Sequence, residues 1–243
     1  MTMDKRRAAV AIAGACAFLN LYPTHALLPL LAAEFGAGPA ELGLTVTAGT
    51  LAVALTAPLT GALSDRLGRR RMIVAAMLAV TLPTLLVGLS GSLGEMLVWR
   101  FLQGLCLPAI FAVTVALVGE EWPPEEAGDV TALYIAGTVM GGFLGRFVTA
   151  WAAEWLGWRG AFGVLAGVNL GCALLAALWL PAQRRFAPAS DMGAALRGMA
   201  GHLRAPRLVA TFGVGFAVLF SLVALFTYAN FHLAAPPFAL GTG

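Results

Sequence analysis

Charged side chains are missing from long stretches of this chain. Residues 8–33, 42–64, 72–94, 101–119, 160–183 and 208 onward contain no Asp, Glu, Lys or Arg. Each is about as long as the roughly 20-residue helix that crosses a hydrocarbon core of about 30 Å. A seventh stretch, 130–151, has the same character but carries Arg146, and the fourth extends at its start to include Arg100. The pattern therefore predicts an all-α integral membrane protein with seven spans.

Composition agrees. Of 243 residues, 60% are apolar and 11% charged, with 29 glycines besides, whereas soluble domains run at about 45–50% apolar and about 25% charged. A soluble enzyme is excluded. Cys16, Cys106 and Cys172 lie inside apolar runs without paired spacing, so neither a disulfide framework nor a metal site is expected, and no cofactor is implied. The net charge of +3 resides in short clusters beside apolar runs, the pattern of topology signals rather than of a nucleic-acid surface. The first apolar stretch exceeds the roughly 7–15 residues of a secretory signal core and reads as an uncleaved helix.

The basic residues are lopsided. Lys5, Arg6 and Arg7 precede span one, Arg66, Arg69, Arg70 and Arg71 lie between spans two and three, and Arg184, Arg185, Arg197, Arg204 and Arg207 lie between spans six and seven. The opposite side has Glu34, Glu41, Glu95 and Glu154 with Arg159. Lysine and arginine are retained inside the cell, so the amino terminus is expected in the cytoplasm of a multi-pass protein of the cell (inner or plasma) membrane. The acidic loop 120–129 does not add to this signal. Residues 182–207 form the longest polar connection. They are expected to be a cytoplasmic linker between a six-helix unit, 1–181, and the first helix of a second unit, 208–243, with a surface helix at 192–203.

An internal repeat is visible. Asp65-Arg66-Leu67-Gly68-Arg69-Arg70 after span two matches Glu154-Trp155-Leu156-Gly157-Trp158-Arg159 after span five, an offset of 89 residues. Three spans fit within that period, which makes the second copy inverted in the membrane, the three-plus-three plan of many transporters.

The segment Gly61-Ala62-Leu63-Ser64-Asp65-Arg66-Leu67-Gly68-Arg69-Arg70-Arg71 closely resembles the loop signature between helices two and three of the major facilitator superfamily. Gly61 would admit a neighbouring helix, Gly68 supports a tight turn, and Asp65 beside Arg66 and Arg69 can form ion pairs that exchange as helices shift. The resemblance implies a conformational latch at Gly61, Asp65, Arg66, Gly68, Arg69 and Arg70. Arg100, Gln103 and Gly104 match the family's helix-four pattern. Gly137, Gly141, Gly142, Gly145 and Arg146 resemble the glycine-rich helix-packing motif of antiporters, with Gly141-Gly142 where Gly-Pro is usual. Trp158-Arg159 with Phe162 resembles the start of helix six. The stretch from Tyr22 to Pro29 is similar to the arabinose-efflux and multidrug-exporter branch. The resemblance implies the amino-terminal half of a transporter, a six-helix bundle of inverted repeats plus a seventh helix, with about five further helices of a carboxy-terminal half missing from this sequence.

The candidate substrate and coupling cavity comprises Asn20, Tyr22, His25, Arg100, Gln103, Tyr134, Thr138 and Arg146. Asn20, Tyr22, Pro23, Thr24 and His25 interrupt span one near its middle and present polar groups there. Arg100 and Arg146 are expected within about one and a half turns of the outer end, at a shared level. An arginine in hydrocarbon costs about 2.5–3.5 kcal/mol, so each either meets an anionic substrate or coupling carboxylate, or reaches outward to Glu95 and Glu154. Thr227, Tyr228, Asn230 and His232 add weaker candidates from span seven. Asn169 is expected to lie outside the cavity. No acid lies deep in a span, so a coupling proton would need His25 or a group beyond this sequence.

The expected activity is transport of a small organic molecule by alternating access, as proton-coupled export, with protons, the bilayer and the missing half as partners. A non-transporting remnant or half-transporter and a proton-coupled importer of sugars or organic anions are alternatives. An intramembrane serine protease built on Gly88-Leu89-Ser90-Gly91 with His232 is the alternative from another class. A retinal protein is excluded because the single lysine is Lys5.

Overall fold

The computed structural model describes residues 4–181, 201 and 204–234, and every regular element among them is helical. Helix α1 (Lys5–Leu21) opens on Asp4, whose carboxylate accepts the Arg6 amide. Pro23 has no N–H to continue it, and the chain passes through a 3-10 turn, Pro23–Leu27, into α2 (Leu28–Phe35). The two pieces meet at 41° and together have the length and apolarity of one broken span. Next come α3 (Pro39–Leu67), α4 (Arg69–Gly88) and α5 (Leu93–Glu121). Helix α6 (Pro124–Trp179) has 56 residues. At 1.5 Å per residue it would reach about 84 Å, far beyond one hydrocarbon core. Gly157, at φ 67 and ψ 171, divides it into two spans, 124–156 (α6a) and 158–179 (α6b). The sequence suggested a loop between spans five and six; the structure uses a single left-handed glycine. Helix α7 (Pro206–Ala234) is the seventh span. Most of the 182–207 linker, including the surface helix expected at 192–203, lies outside the described residues.

The repeat has structural counterparts. Gly68 and Gly157, 89 residues apart, both take positive φ where one span ends and the next begins. Arg70 and Arg159 are related by the same offset. Arg70 donates to the carbonyls of Leu180 (3.0 Å) and Ala177 (2.6 Å) at the end of α6b. Arg159 in turn reaches Ser90 O (3.4 Å), just past the end of α4. Each arginine thus sits at the carbonyl end of the other's helix, where a cation meets unsatisfied acceptors.

Helix contacts depend on absent side chains. A Cβ on Gly137, Gly141 or Gly145 would lie 2.3, 2.1 or 2.5 Å from the carbonyl oxygens of Ala11, Ala15 and Leu19, so α6a and α1 touch backbone to backbone. A Cβ on Gly104 would lie 2.2 Å from Gly49 O, which sets the α3–α5 approach. Two expected packing glycines differ. A Cβ on Gly142 or Gly61 meets nothing within 4 Å; Gly61 is exposed, whereas Gly142 is buried but its Cβ position touches no neighbour.

The core has two apolar clusters, one containing Val80, Leu107 and Ala173 and the other Val87, Met96 and Leu165. Between them, in four helices, fall Asn20, Thr84, Gln103 and Asn169, all buried. A polar layer therefore crosses the middle of the bundle.

Candidate substrate site at the break in span one

The polar layer is centred on Asn20, near the end of α1. Its Oδ1 accepts from Asn169 Nδ2 (2.7 Å) and Gln103 Nε2 (2.9 Å) and lies 3.0 Å from Thr84 Oγ1. Its Nδ2 donates to Asn169 Oδ1 (2.8 Å) and to Cys16 O (2.7 Å). Gln103 also donates to Thr84 (2.8 Å). Spans one, three, four and six are thereby joined by amides whose hydrogen bonds end on one another, the arrangement that makes buried polar groups tolerable in hydrocarbon. Asn169 is placed differently from the expectation. It lies at the centre of the bundle, 0% exposed, because α6b turns this face inward. Thr84 was missed altogether. The available signal was a lone amide in an otherwise apolar run for Asn169; a span threonine carries almost none, since it so often bonds back to its own helix.

Arg100 is 1% exposed and fully engaged inside the protein. Nη1 and Nη2 donate to the carbonyls of Asn20 and Leu21, both at 2.9 Å, and Nε donates to Thr45 O at 3.1 Å. Nη1 also bonds Gln103 Oε1. The break before Pro23 leaves the last carbonyls of α1 without amide partners, and the guanidinium fork collects two of them. Gly49 leaves room for it, since a Cβ there would lie 3.2 Å from Nη2. Arg100 does not reach outward to Glu95, whose carboxylate accepts from Gly91 N (2.9 Å) and Trp99 Nε1 (3.3 Å). Those bonds hold the Glu95 pKa below its usual 4.5.

Arg146 is different. It is half-buried, and its guanidinium carbon lies 4.3 Å from the centroid of the Phe226 ring of α7. It has no hydrogen-bond acceptor or acid among the described residues. Helix α6a continues past Trp151, so Arg146 is eleven residues, about 16 Å, before Gly157, and Arg100 is seven residues, about 10 Å, into α5. Both are deeper than the sequence suggested; Arg100 bonds span one at its break, and Arg146 stands three residues before Thr149, which reaches Pro23 O. A cation–π contact is worth about 0.5–2 kcal/mol, against about 2.5–3.5 kcal/mol for placing an arginine in hydrocarbon. Phe226 alone leaves Arg146 short.

Tyr22 and His25 stack, with centroids 5.3 Å apart and planes at 9°. His25 Nε2 lies 3.1 Å from Thr227 Oγ1 and so ties the 3-10 turn to α7. Thr149 Oγ1 reaches Pro23 O at 3.2 Å. The structure thus brings together Asn20, Tyr22, His25, Arg100, Gln103 and Arg146. It sets Tyr134 and Thr138 apart, about 18 and 12 Å along α6a from Arg146. Tyr134 donates to Phe111 O (3.1 Å) and packs on Gly14; Thr138 bonds Ile135 O (2.7 Å).

At the basic end of the bundle, Arg69 pairs with Asp65 at 2.9 Å and with Glu120 at 2.5 Å, and donates to Ser64 Oγ at 2.9 Å. Glu120, first among these partners, raises the Arg69 pKa above its usual value. The cluster joins α3, α4 and α5. Arg70 is not part of it, being taken by the end of α6b. Gly68, at φ 89 and ψ 133, makes the turn between α3 and α4.

A multi-span bundle with a broken first helix and a polar layer at the break has the architecture of a membrane transporter. The profile of the Major Facilitator Superfamily matches residues 10–242, and the chain belongs to that family. It is 32% identical to the uncharacterized MFS-type transporter YybF of Bacillus subtilis (strain 168), over 94% of this chain and 57% of that protein. It is 32% identical to the gallate transporter of Pseudomonas putida, over 74% of this chain and 41% of that one. A crystal structure of a bacterial homolog of the human lysosomal transporter Spinster, inward-facing and unoccupied, superposes with a TM-score of 0.74 at 18% identity, covering 96% of this chain and 56% of that one. The chain spans about half the length of these proteins. Members of this family are transporters, not enzymes, which removes the protease alternative; Ser90 is buried with Oγ 3.1 Å from Leu86 O.

Proposed function

We propose that the whole protein is a secondary transporter that exports a small organic molecule in exchange for protons. In this reading residues 1–181 are one rocking bundle, 182–207 a cytoplasmic linker and 208–243 the start of a second bundle. The basic end faces the cytoplasm and the membrane is the cell's inner or plasma membrane. One observation carries the proposal. Span one is broken at mid-bundle, and beside the break stands Arg146, whose N–H groups meet no acceptor among the described residues. A purely structural bundle would leave neither. The glycine contacts of α6a on α1 support the antiporter reading, and the Asp65–Arg69–Glu120 cluster supports a latch at the cytoplasmic end.

The test is flux. The full-length protein in inverted vesicles, with the interior acidified, should accumulate substrate and discharge the pH gradient as it does so. Substrate movement indifferent to the gradient would refute proton exchange, and no movement across a broad panel of organic acids, bases and neutral compounds would refute transport and favour a remnant. The similarity to a gallate transporter favours a second reading, proton-coupled uptake of an organic acid. Accumulation in right-side-out vesicles under an inward proton gradient would select it.

A further inference from the structure

We infer that Arg146, backed by Phe226, is the grip for the carboxylate of an aromatic acid, and that the Tyr22–His25 stack flanks the acid's ring. This inference rests on the transport reading and names the substrate class of the same site.

The argument begins with the two span arginines. Both are cations at the level of the span-one break, and every acid among the described residues lies within the first or last two turns of a helix. Arg100 needs nothing from outside, since the carbonyls of Thr45, Asn20 and Leu21 and the amide of Gln103 take four of its five N–H groups. Those acceptors are all uncharged, so a second charge nearby remains to be balanced. Among the described residues Arg146 makes no such bonds. The nearest acid on its own helix, Glu154, is eight residues and about 12 Å along the axis, out of contact.

The geometry at Arg146 then selects the ligand. Phe226 lies under the guanidinium, with the central carbon 4.3 Å from the ring centroid. A guanidinium stacked on a ring uses its face, while its five N–H groups lie in its plane and point outward from the edge. That edge is a planar fork of donors, which matches the two oxygens of a carboxylate. Tyr22 and His25, a flat pair with a 9° interplanar angle that is buried in this conformation, adjoin that point, since His25 bonds Thr227 next to Phe226 and Thr149 reaches Pro23 O. Flat aromatic surfaces receive a flat aromatic body. Three elements converge on this point: the broken span one, α6a and α7. Thr227, next to Phe226, bonds His25, so the wall from span seven is fastened to the wall from span one.

The test is direct binding to this 243-residue chain, purified in detergent, by equilibrium dialysis with radiolabelled benzoate. Benzamide and benzyl alcohol are the uncharged comparisons. We expect saturable benzoate binding, at least tenfold weaker binding of both neutral compounds, and at least tenfold weaker benzoate binding in Arg146→Gln. Arg146→Lys should retain part of the affinity, because an ammonium supplies the charge without the fork. Size-exclusion profiles and helical circular dichroism report whether each variant is folded; if Arg146→Gln is not, the benzamide comparison on the unaltered chain decides alone. No saturable benzoate binding, equal binding of benzamide, or unchanged benzoate affinity in a folded Arg146→Gln would each overturn the inference. The two readings fail separately. A full-length protein that moves only cations or neutral compounds leaves transport standing and removes the carboxylate, while benzoate bound at Arg146 with no flux does the reverse.

Discussion

Replacing Arg100 by leucine asks whether this arginine holds the broken helix or holds substrate. The structure gives it four internal bonds, to the carbonyls of Asn20, Leu21 and Thr45 and to Gln103, at 1% exposure. Hydrogen bonds between membrane helices average about 0.6 kcal/mol each, so losing four removes roughly 2.4 kcal/mol. Two carbonyls at the end of α1 lose a partner and have no amide to turn to, which adds about 1–3 kcal/mol. Removing a buried charge returns part of this. The expected net destabilisation is about 3 kcal/mol. Arg100→Lys should fall between, because one ammonium cannot reach acceptors spread around a planar fork. The measurement is reversible unfolding of the purified chain in mixed detergent micelles titrated with a denaturing detergent, followed by far-ultraviolet circular dichroism. A stability of Arg100→Leu within about 0.5 kcal/mol of the unaltered chain would refute the reasoning. So would wild-type stability combined with lost benzoate binding, which would move the substrate contact from Arg146 to Arg100.

Other outcomes follow from single contacts. Gly141→Leu should cost about 3 kcal/mol or more, because even its Cβ would stand 2.1 Å from Ala15 O, whereas Gly142→Ala, with nothing within 4 Å, should be near neutral in the same unfolding assay. The Glu34–Arg159 pair, 2.7 Å apart, lowers the Glu34 pKa below 4.5 through the Arg159 hydrogen bond. A depressed carboxylate stabilises above its unfolded pKa and loses that contribution as pH falls through the folded value. Unfolding midpoints measured from pH 6 to pH 3 should therefore fall less in Glu34→Gln than in the unaltered chain, and identical slopes would count against the pair. A cysteine at exposed Arg71, with Cys106 and Cys172 changed to serine, should react with a membrane-impermeant maleimide only in inverted vesicles. Reaction from outside intact cells would reverse the topology.

Much of the fold was legible because hydrocarbon is a strict solvent. A backbone in lipid must bond to itself and a span must be long, so uncharged runs mark helices almost without reference to packing. The glycines at 137, 141 and 145 were also legible, since a four-residue spacing stacks them on one face. Gly61 was misread. Which side of a helix meets a neighbour depends on where that neighbour lies, and no local pattern records it. Arg70 was misread for the same reason: its acceptors, the carbonyls at 177 and 180, are more than a hundred residues away.

The amino-acid order by itself determined the spans, the break at Pro23, the inverted repeat with its paired glycines, and the family. These rest on the cost of exposing charge or backbone to lipid and on fixed local geometry, quantities that each segment carries alone. The tertiary structure decided which of two arginines is spent. Arg100 and Arg146 are alike in sequence, each a lone cation in an apolar run, but one faces the open carbonyl end of α1 and the other an aromatic ring. A hydrogen-bond donor is satisfied only by an acceptor within about 3 Å, and the folding of four distant helices against one another fixes what lies within that distance.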